Sequence, residues 1–352
     1  MDTLTRGFLL DIARPIAETF LTSDSIRFNL LRVSTMDAFA FPNGSTYFSN
    51  GLLLRVNTES QLAFIIAHEL AHVKEAHSLS QYDQRKQAMV SAHVLDMLLL
   101  GTGLAYIPAA ASQAQYSRAH EIEADSMAMS MIHELGYPLE TVPALYDILD
   151  QVSPAASARW SAYRSHPSNQ ERKQRLVDQI TVFGPDSTEQ DSLENQLPFI
   201  HNRLFHECIR NTLLRKEYSL SHDLIQPALA RDSLNPLFHY YLGELFLSQA
   251  NHTDATASDY WRFNADINLK NLKESYSDSV GVWYQKALYE FETSLDIDSS
   301  FVLGHKGLGL VAYHQNNLEE GIAQLRQYLT IAVTIPDQRY LTYLIKKMEQ
   351  DL

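Results

Sequence analysis

The run His68-Glu69-Leu70-Ala71-His72 is the strongest chemical signal in the chain. At about 100° per residue, the two histidines stand about 40° apart on one helical face, one turn from each other. Both imidazoles can therefore meet a single metal ion. Glu69 lies at the same edge, where its carboxylate can take a proton from an attacking water. Zinc suits such a site because it takes nitrogen and oxygen donors, has no redox chemistry and keeps one position open in catalytic centres. Histidines four apart also arise by chance on exposed helices. Here the flanking FIIAHELAHV is apolar, so the polar groups would be buried, and burying them without a partner is costly.

A catalytic centre needs a third ligand, and three residues compete for the role. His77 lies five residues after His72, with Glu75 rather than glycine between them, so the metzincin spacing is not met. On a continued helix it would sit about 140° around from His72, which argues for a helix-end role instead. Glu121, in SRAHEIEADSMAM, has Asp125 one turn on, so both carboxylates can face one neighbour while Glu123 points nearly the opposite way. A ligand backed by a carboxylate suits a metal site, since metal-bound histidines need partners that fix their tautomer. The bland reading is a solvated acidic face, although Ala124, Met127, Met129 and Met131 argue for a packed helix. His166 precedes a proline and belongs to a loop.

The elements that must hold these groups can be placed. Pro42-Asn43-Gly44 is a turn signal between two aromatic-rich runs and predicts a small β-hairpin within 36–53. Thr58 is the expected N-cap of a helix over 58–76, and TESQ at 58–61 resembles a capping box. Further helices are expected over about 81–100, 112–135, ending at Gly136, and 138–152. Near the N-terminus, Ile12, Ile16, Phe20 and Leu21 fit one helical face. Asp11 interrupts the only apolar run there, so no signal peptide is visible and the expectation is a cytosolic chain or a mature one. Val94–Ala111 is apolar, but it carries Asp96, two glycines and Pro108 and is short for a span of about 20 residues. It reads as a buried hairpin or loop.

The polar, acidic run 184–196 predicts a boundary between residues 1–190 and a helical domain over 198–352. Within the latter, Ala287 and Gly321 are 34 residues apart, Leu242-Gly243 and Leu308-Gly309 open helical patterns, and Ala228 closes an earlier unit. A 34-residue period is that of tetratricopeptide repeats, in which small residues let paired helices approach. The units would be 202–235, 236–301 and 302–335, with an insertion near 252–283 and a capping helix over 337–350. The fold class expected is thus mainly α: a helical zincin-type domain with a small β-hairpin or sheet, then an α-solenoid.

Forty-two acidic against 28 basic residues leave a net charge of -14, which disfavours a nucleic-acid partner. The single cysteine, Cys208, excludes an intramolecular disulfide and a cysteine-based zinc site.

In this order, HELAHV at 68–73, SRxxExEAD at 117–125 and HPxxxxR at 166–172, with AFxxPNG upstream and Gly51-Leu52-Leu53, resemble the gluzincin family of the CAAX prenyl proteases. Within it, the likeness is to the soluble, periplasmic BepA type, which carries C-terminal tetratricopeptide repeats. The resemblance covers about 35–175 by motif. It implies Glu121 as third zinc ligand, Asp125 behind the ligands, and His166 as a fourth, inhibitory ligand that shuts the site. It assigns Arg118 and Arg172 to structure, and implies a periplasmic or cell-envelope location, with the cytoplasm as alternative. The expectation is one zinc ion per chain and a zinc endopeptidase acting on proteins or peptides. Glu69 is its base, the repeats bind substrate or a protein partner, and no segment spans a membrane. The competing expectation is a repeat-bearing adaptor or chaperone with a structural or vestigial metal site.

Overall fold

The computed structural model describes residues 3–20, 26–77, 118–151, 170–184, 197–264 and 266–352. The expected helix over 81–100, the apolar stretch Val94–Ala111 and His166 lie outside these. The chain divides into two compact units, Met1–Cys208 and Ile209–Leu352. It is mainly helical, with one small mixed sheet.

In the first unit, α1 (Thr3–Phe20) buries Leu9, Ile12, Ala13 and Ile16, the face its apolar spacing predicts. Strands β1 (Arg27–Leu31), β2 (Ala38–Ala40) and β3 (Ser45–Ser49) form a sheet in the order β1-β3-β2. The expected hairpin is the antiparallel β2–β3 pair, closed at Gly44 with φ 80°. Strand β1, which the residues did not signal, adds to β3 in parallel. A short helix α2 (Asn50–Leu53) follows, capped by Ser49. Only glycine fits at position 51, where a Cβ would lie 2.2 Å from the Ser34 carbonyl oxygen.

Helix α3 (Glu59–Lys74) is buried on nearly every face, and the buried set includes Glu59, Ser60, Gln61, His68, Glu69 and His72 beside its apolar residues. The Thr58 hydroxyl accepts from the Gln61 backbone NH at 3.2 Å. The Gln61 side chain accepts from Asn57, one residue before the position a reciprocal box would use, and donates to the Thr141 carbonyl at 2.9 Å. The cap thus ties the start of α3 to the segment around Thr141.

Helix α4 (Arg118–Glu134) packs on α3. Gly136 (φ 78°) ends it, with Gly136 NH bonded to His133 O and Tyr137 NH to Ile132 O, the two bonds of a Schellman turn. The helix expected from 138 begins later, as a 3-10 turn at Val142–Ala144 followed by α5 (Leu145–Gln151). Helix α6 (Gln170–Phe183) packs on α4. The division between units falls inside α7 (Leu197–Leu214).

The second unit holds α8 (Tyr218–Arg231), α9 (Pro236–Asn251), α10 (Thr253–Trp261), α11 (Leu269–Asp278), α12 (Val280–Ile297), α13 (Val302–His314), α14 (Leu318–Ile331) and α15 (Gln338–Asp351). Its principal pairs are α9 with α12 and α13 with α14. The short helices α10 and α11 occupy the expected insertion. Phe291 of α12 fills the space left by two glycines: a Cβ on Gly243 or on Gly307 would meet its ring at 2.6 or 2.4 Å. Helix α15 covers the last pair with Leu341, Leu344, Ile345 and Met348, packed against Ile322, Leu325 and Tyr328.

Candidate metal centre

Helix α3 presents His68 and His72 one turn apart, and α4 presents Glu121 in its first turn, all three buried. Their donor atoms converge. His68 Nε2 and His72 Nε2 are 3.1 Å apart, His68 Nε2 lies 3.6 Å from Glu121 Oε2, and His72 Nε2 lies 3.5 Å from Glu121 Oε1. A tetrahedral zinc ion at about 2.0–2.1 Å from each donor would set its ligand atoms roughly 3.3 Å apart. The three separations bracket that value, and two imidazoles with one carboxylate are a zinc donor set. Among the described residues this is the one such group of ligating side chains with this convergence. His166 lies outside the described residues.

Asp125, one turn after Glu121, places Oδ1 3.0 Å from His68 Nδ1. Arg172 of α6 holds that carboxylate from behind through Nε and Nη2, both at 2.7 Å, and reaches Glu121 Oε2 with Nη1 at 2.8 Å. The Tyr146 hydroxyl of α5 donates to Asp125 Oδ2 at 2.8 Å, and its ring lies against the guanidinium. These groups are buried together, and their titration follows. Burial opposes ionisation of Asp125, but the Arg172 hydrogen bonds and then His68 outweigh it and hold the carboxyl below its usual range. Burial likewise opposes a charged His68, yet Asp125 and then Glu121 outweigh it and push its pKa up to about 9. Burial, with Asp125 adding to it, keeps the Tyr146 hydroxyl protonated far above its ordinary value.

His72 is backed differently. Its Nδ1 lies 2.9 Å from Nδ1 of His77, which is buried, stacks on His120 with ring centroids 4.2 Å apart and has Nε2 3.4 Å from Glu123 Oε2. Burial first, and then His120 beside it, hold the His77 imidazole below its usual pKa. His77 stands at the end of α3, as its spacing implied, but its ring turns back onto His72. Arg172 and Tyr146 also enter the site beyond what their sequence positions announced. The R of HPxxxxR was a visible signal for Arg172; nothing local marked Tyr146.

Glu69, also buried, shares with His68 the wall of a cleft. The rest of the wall is apolar, from Met36, Leu52, Phe64, Leu145 and Leu149 among others, with Tyr146 and Arg172 at its polar side. A carboxylate beside a three-donor metal pocket, at the edge of an apolar cleft, is the arrangement that hydrolyses an amide with a metal-polarised carbonyl.

Zinc metallopeptidases are the class of proteins that use such an arrangement. Residues 11–180 match the description of peptidase family M48. The chain is similar to a Vibrio cholerae protein assigned as a β-barrel assembly-enhancing protease, 29% identical over 157 residues, 41% of this chain and 32% of that protein. The Escherichia coli metalloprotease YcaL is 25% identical over 181 residues, 49% of this chain and 68% of the relative. The β-barrel assembly-enhancing protease of Yersinia pestis is 24% identical over 283 residues, 69% of this chain and 58% of the relative. The matched stretches thus span from about a third to two thirds of these relatives' own lengths. Among the described residues no helix is long and apolar enough to cross a membrane.

Proposed function

We propose that this chain is a zinc-dependent endopeptidase that cleaves protein substrates in cell-envelope quality control. The observation that carries this is the convergence of His68, His72 and Glu121 within 3.1–3.6 Å of one another, with Glu69 in the adjoining cleft. A zinc ion held by these donors supplies polarisation of a scissile carbonyl and acidification of water. Asp125 fixes the proton of His68 on Nδ1, which leaves Nε2 free to ligate. Arg172 holds Asp125 and Glu121 in place. Glu69 takes the proton of the attacking water and returns it to the leaving amine nitrogen. The apolar cleft walls favour an apolar stretch of substrate.

The envelope role and location rest on the likeness to β-barrel assembly-enhancing proteases. The paired helices of the second unit, with Ala287 and Gly321 34 residues apart on the second member of each pair, support tetratricopeptide-like repeats that bind substrate or a protein partner. His166 is assigned the latency role, closing the fourth position, on the resemblance of its His-Pro segment.

Zinc content and casein cleavage test this in the wild type, Glu69→Gln and His166→Ala. One zinc per chain is expected throughout, with cleavage reduced about 10²–10⁴-fold in Glu69→Gln, the contribution of a general base, and raised in His166→Ala. Zinc without cleavage in any of the three would turn the reading to a repeat-bearing adaptor. A wild type without zinc would sink the site.

A further inference from the structure

The two histidines of the pocket are held by unlike partners. Behind His68 stands a buried carboxylate; behind His72 stands the ring of His77. A continued α-helix would carry His77 about 140° away from His72. The chain avoids this at Ala76, whose φ of 52° is left-handed backbone that an L residue seldom adopts. Helix α3 has ended at Lys74, with Glu75 NH on Ala71 O and Ala76 NH on Val73 O. The turn that follows brings His77 back along the helix it has just left.

The proton arrangement then follows from the pocket. A ligating nitrogen must be unprotonated, and the nitrogen of His72 that faces His68 and Glu121 is Nε2. Its proton therefore sits on Nδ1, 2.9 Å from Nδ1 of His77. Two ring nitrogens at that distance need one donor and one acceptor. His77 accepts, so its own proton sits on Nε2, which faces Glu123. We propose that His77 is a positioning residue for the metal pocket. It accepts the Nδ1 proton of His72, fixes the tautomer and ring orientation that aim Nε2 at the ion, and is put there by the left-handed turn at Ala76.

This rests on His72 being a zinc ligand, and the experiment separates the two ideas. The full chain is titrated with zinc against a chromogenic chelator, and its cobalt(II) form is read by visible absorption. Two variants are compared with the wild type. His77→Phe keeps a ring against His120 but offers no acceptor. His77→Asn places an amide oxygen at the position of the lost Nδ1, so it restores the acceptor without the ring. The expected result is a 10- to 100-fold weaker zinc affinity in His77→Phe, the usual effect of removing such a partner, with a shifted cobalt spectrum. In His77→Asn both are expected to return close to wild type. Equal affinity in His77→Phe and wild type would overturn the proposal. So would a His77→Asn variant as weak as His77→Phe, because the ring would then matter only as packing. A wild type that binds no zinc would overturn the metal site itself, and this role with it.

Discussion

The two units solve the burial problem with opposite chemistry. Where α3, α4, α5 and α6 meet, the interior holds His68, His72, Glu121, Asp125 and Arg172, all buried. Each needs a partner of complementary charge or hydrogen-bonding capacity in one geometry. The interior of the second unit is largely apolar, although Ser221, Thr256, Asp259 and Ser294 are buried there too, and it depends mainly on shape: Phe291 between Gly243 and Gly307, and Leu325 against Gly309. A polar interior of the first kind contributes little net stability, since desolvation consumes most of the attraction. It does fix the positions of its members, which a metal pocket requires. The second kind is strongly stabilising and asks for no chemistry.

The contrast can be broken in order of expected effect. Replacing Arg172 by Met should cost about 5 kcal/mol in chemical denaturation, the upper part of the range for leaving a buried charge unpaired. Asp125 and Glu121 lose their shared cation, so zinc affinity should fall as well. A destabilisation below about 1 kcal/mol would mean that the network is not the tightly determined one described. Phe291→Ala should cost about 4 kcal/mol through the cavity it leaves, with zinc stoichiometry unchanged. Loss of zinc in that variant would contradict the division of labour. Tyr146→Phe removes one hydrogen bond to a charged group and should cost about 2 kcal/mol; calorimetry and zinc titration together tell whether the loss falls on stability or on the pocket. Thr58→Ala removes the cap of α3 and should cost about 1 kcal/mol, seen as a small drop in melting temperature with zinc retained.

Much of this was legible from residues alone because the signals were local. Thr58 before an apolar helix, Pro-Asn-Gly between aromatic runs and Gly136 after the last apolar position each dictate backbone geometry within a few residues. The pairing of Glu121 with the two histidines was suggested by the helical spacing of Glu121 and Asp125, and it was the family resemblance carried by the motifs that singled Glu121 out among three candidates. What escaped depended on distant or unsignalled events. Strand β1 pairs in parallel with β3, 18 positions away in register, and parallel pairing leaves no turn signal. Tyr146 looks like an ordinary core aromatic until its hydroxyl is seen on Asp125. His77 escaped because, although the residues place the helix end at 76, nothing about Ala76 announces the left-handed backbone, φ 52°, that turns His77 back onto His72. The wheel that placed His77 on a far face holds only while the helix continues.

The insertion between α9 and α12 also bears on the order in which the second unit assembles. Gly309 and Leu325, which meet across α13 and α14, are 16 residues apart, whereas Gly243 and Phe291 are 48 apart. Tripling the loop to be closed adds roughly 1 kcal/mol of chain entropy. During synthesis, α9 must wait for α10 and α11 to emerge before its partner exists. The α13–α14 hairpin closes over a short, local loop, so it is expected to be an early structure onto which the interrupted pair condenses. The aromatic ring of Phe291, reaching glycines on both sides, is the joint where the slow pair and the fast pair become one cooperative unit.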